Sequence, residues 1–107
     1  MADVAGFFNA VPEKVDKSKV GSMNAVYQFE ITGEGGGDWY VSLASGEVSV
    51  AQGKAEKPSI TLTMDANNFM DLIAGKLNGQ TAFLTGKLKI KGDMTLAMKL
   101  QSVFALG

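Results

Sequence analysis

The run Gly86–Phe104, GKLKIKGDMTLAMKLQSVF, changes its hydrophobic period halfway along, which restricts the chain to folds where a strand feeds directly into a helix. Leu88 and Ile90 point to one side and Lys87, Lys89 and Lys91 to the other, the period of a half-buried strand. Gly92 interrupts the alternation. Asp93 stands where a helix N-cap belongs, and Met94, Ala97, Met98, Leu100, Gln101, Val103 and Phe104 follow at helical spacing. Leu96 and Leu100 widen the apolar face beyond a narrow stripe. A helix this apolar needs a cover, either the remainder of the fold or an apolar ligand.

Upstream, the spacing of apolar residues predicts a short helix over Asp3 to Val11, with Val4, Phe7, Phe8 and Val11 on one side. Pro12 is expected to end or redirect it, because proline supplies no helical N–H and restrains Val11. The adjacent phenylalanines are either a plug on the core or a surface-seeking edge. Asp16 to Met23 allows one further helical turn, ending near Gly21. Then the period shortens to two: Ala25, Tyr27, Phe29 and Ile31 alternate with Val26, Gln28, Glu30 and Thr32. A glycine-rich turn, Gly33–Asp38, leads to a second strand over Trp39 to Leu43. Ala44-Ser45-Gly46 leads to a third over Glu47 to Ala51, giving an antiparallel meander.

After a polar loop, Gln52 to Pro58, Ile60, Leu62 and Met64 mark a fourth strand. Asp65 is placed to cap a helix whose apolar face is Phe69, Leu72 and Ile73, closed by Gly75. Asn78 is placed to cap a shorter helix containing Ala82, Phe83 and Leu84. The expected architecture is a single α+β domain over residues 1–107: a five-stranded, mainly antiparallel sheet with helices covering a face. The long helical link between the fourth and fifth strands allows a parallel or crossover relation between those two.

The chain contains neither cysteine nor histidine. This excludes disulfides, thiol nucleophiles, histidine-based triads and the common zinc sites. The glycine-rich turn precedes a strand, not a helix, so it reads as a hairpin connection and not a phosphate cradle. Gly75-Lys76 and Gly86-Lys87 are followed by leucine where a P-loop requires a hydroxyl. The carboxylates are dispersed. No catalytic residue, cofactor or metal is therefore expected. The formal net charge of −1 gives nucleic acid no electrostatic support. No apolar run approaches a membrane span, and the first residues lack the pattern of a signal peptide. The lysines of Gly86–Phe104 have two readings: a solvated, aggregation-deterring strand face, or a contact for lipid headgroups or a ligand's acidic end. Met64, Met70, Met94 and Met98 suit either ordinary packing or a deformable cavity.

Three segments carry a resemblance that extends over nearly the whole chain. They are Phe29-Glu30-Ile31-Thr32-Gly33-Glu34 with its turn and Trp39; Phe69 through Leu77; and Ala82-Phe83-Leu84-Thr85-Gly86 running on to Gln101. In these the sequence resembles the sterol carrier protein 2 family. The resemblance implies a helix-backed five-stranded sheet enclosing an apolar tunnel. It also implies non-catalytic binding and transfer of fatty acids, fatty acyl-CoAs, sterols or other lipids. By position, Phe69, Leu72, Ile73, Leu77, Phe83, Leu84, Met94, Ala97, Met98 and Leu100 become candidates for the tunnel lining or its support. Met98 stands where some relatives have a glutamine near the ligand, so no polar contact is carried over there. Lys87, Lys89 and Lys91 become candidates for headgroup contact or transient contact with an anionic membrane. Peroxisomal relatives end in a Ser-Lys-Leu-like tripeptide, whereas this chain ends Ala105-Leu106-Gly107, from which a cytoplasmic location is expected. The alternative is a solid-core interaction or accessory domain partnering a lipid-metabolising enzyme.

Overall fold

Each alternating run forms a strand, and each capped apolar run forms a helix. The computed structural model describes residues 3–15, 17–21 and 23–103, with the side chains at 17, 19 and 100–103 outside the described set. The elements are α1 (Val4–Lys14), α2 (Lys17–Val20), β1 (Ala25–Thr32), β2 (Gly37–Ala44), β3 (Glu47–Gln52), β4 (Ile60–Asp65), α3 (Ala66–Ile73), α4 (Gly79–Leu84), β5 (Leu88–Gly92) and α5 (Met94–Val103). Asp16 and Phe104, assigned to helical runs on sequence grounds, lie outside the described residues.

The five strands form one sheet in the order β3-β2-β1-β4-β5. The meander β1–β2–β3 is antiparallel throughout. The fourth and fifth strands also pair antiparallel, Leu62 opposite Ile90 and Met64 opposite Leu88, so the parallel relation allowed for them is not adopted. The parallel pair is instead β1 with β4, in register Tyr27–Ile60, Phe29–Leu62 and Ile31–Met64. The physical reason lies in the 53–59 connection, which carries the chain from edge strand β3 past β2 and β1. Ser59 N–H donates to the Val26 carbonyl at 2.9 Å, and Ser59 Oγ accepts from Val26 N–H at 3.0 Å, which fixes the entry of β4 beside β1.

One face of the sheet carries the core. Tyr27, Phe29, Ile31, Trp39, Val41, Leu43, Ile60, Leu62, Met64 and Leu88 are all buried there. Helix α1 seals it with Val4, Phe7, Phe8 and Val11, so the paired phenylalanines act as a plug. Asp3 caps this helix, accepting from Gly6 N–H at 2.6 Å. Pro12 does not end α1; the helix runs on to Lys14, and Val15 N–H bonds the Val11 carbonyl at 2.9 Å. A proline inside a helix costs about 3 kcal/mol. Burial of Val11 and Val15 on either side of it, each worth roughly 1.5–3 kcal/mol, offsets that cost.

The strand residues of the other face are exposed or half-buried, with one exception. Gln28 is 2 % exposed although the alternation directs it outward. The 53–59 connection covers it: Gln28 Nε2 donates to the Trp39 and Gly53 carbonyls at 3.1 Å each, and Oε1 accepts from Ala55 N–H at 2.6 Å. A buried amide is tolerated because its donors and acceptor are satisfied.

Candidate functional site

The strand-to-helix switch depends on Gly92. Its φ of +117° suits glycine, and a Cβ there would lie 2.6 Å from the Ser59 carbonyl oxygen and 2.9 Å from Ile60 Cα. Asp93 then caps α5, its Oδ1 accepting from Thr95 N–H at 2.9 Å. The helix is drawn back over the sheet face by Tyr27, whose hydroxyl donates to the Leu96 carbonyl at 2.8 Å.

Between α5, β5 and the short helix α4 lies a groove of about 330 Å³ lined by Gly79, Gln80, Phe83, Leu88, Ile90, Met94, Ala97 and Met98. The floor is Leu88 and Ile90 on β5. Asn78 sets one wall by capping α4, accepting from Gln80 and Thr81 N–H at 2.8 and 3.3 Å. Gly79, Gln80 and Phe83 stand three and four residues apart and so share one face of that helix. Met94, Ala97 and Met98 supply the other wall at the same spacing. Among the described residues Gln80 is the one polar side chain in this lining and no charged side chain contributes to it. An ionised group drawn into it would find no counter-charge there, whereas a hydrocarbon would lose only water.

Of the residues singled out from sequence, Phe83, Met94, Ala97 and Met98 converge on this groove. Phe69 and Leu72 are 2 % exposed and belong to the central core, Phe69 stacked on Phe8 at 5.5 Å; Ile73 and Leu77 pack half-buried against that core. Leu84 is 74 % exposed and points away from the groove lining, because α4 turns its neighbour Phe83 inward. The Leu100 side chain lies outside the described residues. The structure adds Leu88, Ile90, Gly79 and Gln80 to the lining. For the first two the signal was the strand alternation, which marked their shared face without showing that α4 and α5 leave it partly uncovered. Glycine and glutamine gave no apolar signal.

The register separates the lysines from the groove. Lys89 pairs with Thr63 and Lys91 with Thr61, and Glu30 pairs with Thr63, so these side chains occupy the opposite face of the sheet. There they border a second depression of about 350 Å³ with Glu30, Thr61, Thr63 and Ile90. Lys87 is exposed in the turn before β5 and lines neither space. Among the described residues no group of histidine, cysteine, aspartate or glutamate side chains is arranged to hold a metal ion, and no helix is long and apolar enough to cross a membrane.

A family model described as the SCP-2 sterol transfer family matches residues 7–105. The chain belongs to that family. Its fold is the family's non-catalytic lipid-transfer fold, and lipid binding and transfer is the general function that membership carries. The solution structure of palmitated SCP2L2 from Aedes aegypti is 26 % identical, covering 96 % of this chain and 95 % of that one at a TM-score of 0.76. Sterol carrier protein domain 2 of Helicoverpa armigera is 33 % identical at a TM-score of 0.74, covering 94 % of this chain and 81 % of that one. Among curated relatives, hydroxysteroid dehydrogenase-like protein 2 of Xenopus laevis is 38 % identical over 97 residues, 90 % of this chain and 23 % of that protein. The chain thus spans less than a quarter of that relative's length.

Tyr27 gives the site a measurable pH signature. Burial first, and then the negative charge of Asp93, push its phenol from 10.0 up to about 12. Between those values the unfolded chain has lost the proton that the folded chain keeps, so stability is fully present below pH 10 and falls as pH rises towards 12. The slope is about 1.4 kcal/mol per pH unit. Urea unfolding of the wild type should therefore weaken by about 2 kcal/mol more than that of Tyr27→Phe over this window. Equal alkaline losses in the two proteins would contradict the buried-phenol account.

Proposed function

We propose that the groove between α4, β5 and α5 takes the hydrocarbon chain of a long-chain fatty acid or fatty acyl-CoA. In this reading it is the accessible part of the apolar tunnel that the family resemblance implies. The observation that carries the proposal is the lining: Phe83, Leu88, Ile90, Met94, Ala97 and Met98 face one space without a charge among them. An empty apolar space forfeits dispersion contacts, and a lipid chain restores them. The groove's volume sits at the low end of the range for ligand pockets, roughly 300–1,000 Å³. A flexible chain can occupy such a space in increments, while a rigid sterol needs its full width at once. That a relative 26 % identical was solved in palmitated form supports the acyl chain.

With no charged partner among the described lining residues, the carboxylate or CoA moiety stays in water at the open side of the groove. The chain therefore carries and releases its ligand without altering a bond. Titration with palmitate and palmitoyl-CoA below their micellar concentrations, read as the unfolding midpoint, tests this reading. A rise that saturates with ligand is expected, and an unchanged midpoint for both would leave the solid-core alternative. A second reading, service to an attached or separate lipid-metabolising enzyme, draws support from the much longer Xenopus laevis relative of which this chain matches only a part.

A further inference from the structure

The sulfur atoms of the chain are unevenly placed. With no cysteine in the sequence, an oxidant that reacts with sulfur meets only methionine. Met64 is 3 % exposed on the core face of β4, and Met23 and Met70 are half-buried against the core. Met94 at 47 % and Met98 at 84 % are the exposed methionines among the described residues. They stand four residues apart on α5, so they share one helix face, and both line the groove. The floor opposite them, Leu88 and Ile90, carries no sulfur. The sulfur that water and oxidants can reach is thus gathered on one wall of the candidate ligand site.

We propose that Met94 and Met98 form a reversible oxidation site through which peroxide sets how tightly the groove holds an apolar ligand. The thioether sulfur attacks one oxygen of hydrogen peroxide and the O–O bond breaks. That oxygen stays on sulfur, the other leaves as water, and the two electrons lost by sulfur reduce the peroxide. The product sulfoxide is polar, and its oxygen accepts hydrogen bonds. In the free protein that oxygen keeps its water, because both side chains are exposed, so the fold is not disturbed. Under a hydrocarbon chain the water is lost, and the polar side chain of the lining, Gln80, stands on the α4 wall across the groove. Desolvating an unpaired polar group opposes binding. A bound chain in turn covers the two sulfurs and slows their oxidation, since susceptibility follows exposure. A thiol-dependent sulfoxide reductase reverses the change: two thiols become a disulfide and the sulfoxide oxygen leaves as water. The proposal rests on the lipid-carrier reading, and the two failures differ. Unoxidised protein that does not bind palmitate refutes the carrier reading and the switch with it, whereas equal binding before and after oxidation refutes the switch alone.

The test treats the full chain with hydrogen peroxide, locates sulfoxides by peptide mass spectrometry, and measures palmitate affinity and the unfolding midpoint. Met94 and Met98 should be oxidised before Met23, Met64 and Met70. Palmitate affinity should then fall at least about tenfold at an unchanged midpoint. Methionine sulfoxide reductases of both epimer specificities should restore it. Loading with palmitate beforehand should slow oxidation at both residues. Met94→Leu with Met98→Leu, whatever its starting affinity, should show no change in affinity on the same treatment. Slower oxidation of Met94 and Met98 than of the buried methionines, equal affinity with both converted, a midpoint that falls with the affinity, or a peroxide-induced loss that persists in the leucine variant would overturn the proposal.

Discussion

Phe8→Ala is expected to destabilise the fold by about 4 kcal/mol in urea unfolding at 25 °C, a large fraction of the 5–15 kcal/mol typical of a whole domain. Phe8 is fully buried, and its ring sits among Phe7 at 5.3 Å, Phe29 at 5.0 Å, Trp39 at 5.3 Å and Phe69 at 5.5 Å. The Trp39 and Phe69 rings lie within 9° and 8° of parallel to it. Removal forfeits the transfer free energy, opens a cavity the sheet cannot collapse into, and loses aromatic pairings worth about 0.5–1.5 kcal/mol each. Phe8→Leu keeps most of the volume and should cost about half as much. A loss below about 1 kcal/mol for the alanine variant would mean that α1 is not the seal of the core.

The second large effect concerns the ligand. Ala97 is a half-buried wall residue with no side chain beyond Cβ, so Ala97→Trp puts an indole into the groove. The variant should fold, because the added ring occupies space that is open in the free protein. Its affinity for palmitate should fall by about a hundredfold, the equivalent of roughly 2.7 kcal/mol. Retained affinity in a folded Ala97→Trp variant would place the lipid elsewhere.

Most of the fold was legible because local signals and tertiary needs agreed. Asp65, Asn78 and Asp93 cap the helices they were expected to cap, accepting from backbone N–H groups within the first turn. Ser45, at φ +52°, and Gly46, at +79°, make the tight turn between β2 and β3. Sequence reasoning failed where a distant segment decided the outcome. Pro12 reads as a stop signal, yet the burial of Val11 and Val15 carries the helix past it. Gln28 reads as outward-facing, and only the 53–59 connection, folding over it, makes it internal. The parallel pairing of β1 with β4 depends on the same connection, which no periodicity encodes.

The site shows the same division. Met94, Ala97 and Met98, at helical spacing, line one side of the groove, and Phe83, singled out through the resemblance, lines the other. Position in sequence could not distinguish the core residues Phe69 and Leu72 from groove residues, since both kinds are apolar and periodic. Nor could it show that Lys89 and Lys91, adjacent in the chain to Leu88 and Ile90, stand a sheet's thickness away from the groove. That separation follows from the pleat.

The lipid titration tests the central claim most directly. At a hundredfold excess over the dissociation constant, a ligand that binds only the folded chain stabilises it by about 2.7 kcal/mol. For a domain of this size that corresponds to a rise in unfolding midpoint on the order of 10 °C. Wild type with saturating, sub-micellar palmitate or palmitoyl-CoA should show that rise, and Ala97→Trp should not. An unchanged wild-type midpoint with both ligands, or an equal rise in the two proteins, would contradict a lipid chain held between α4, β5 and α5.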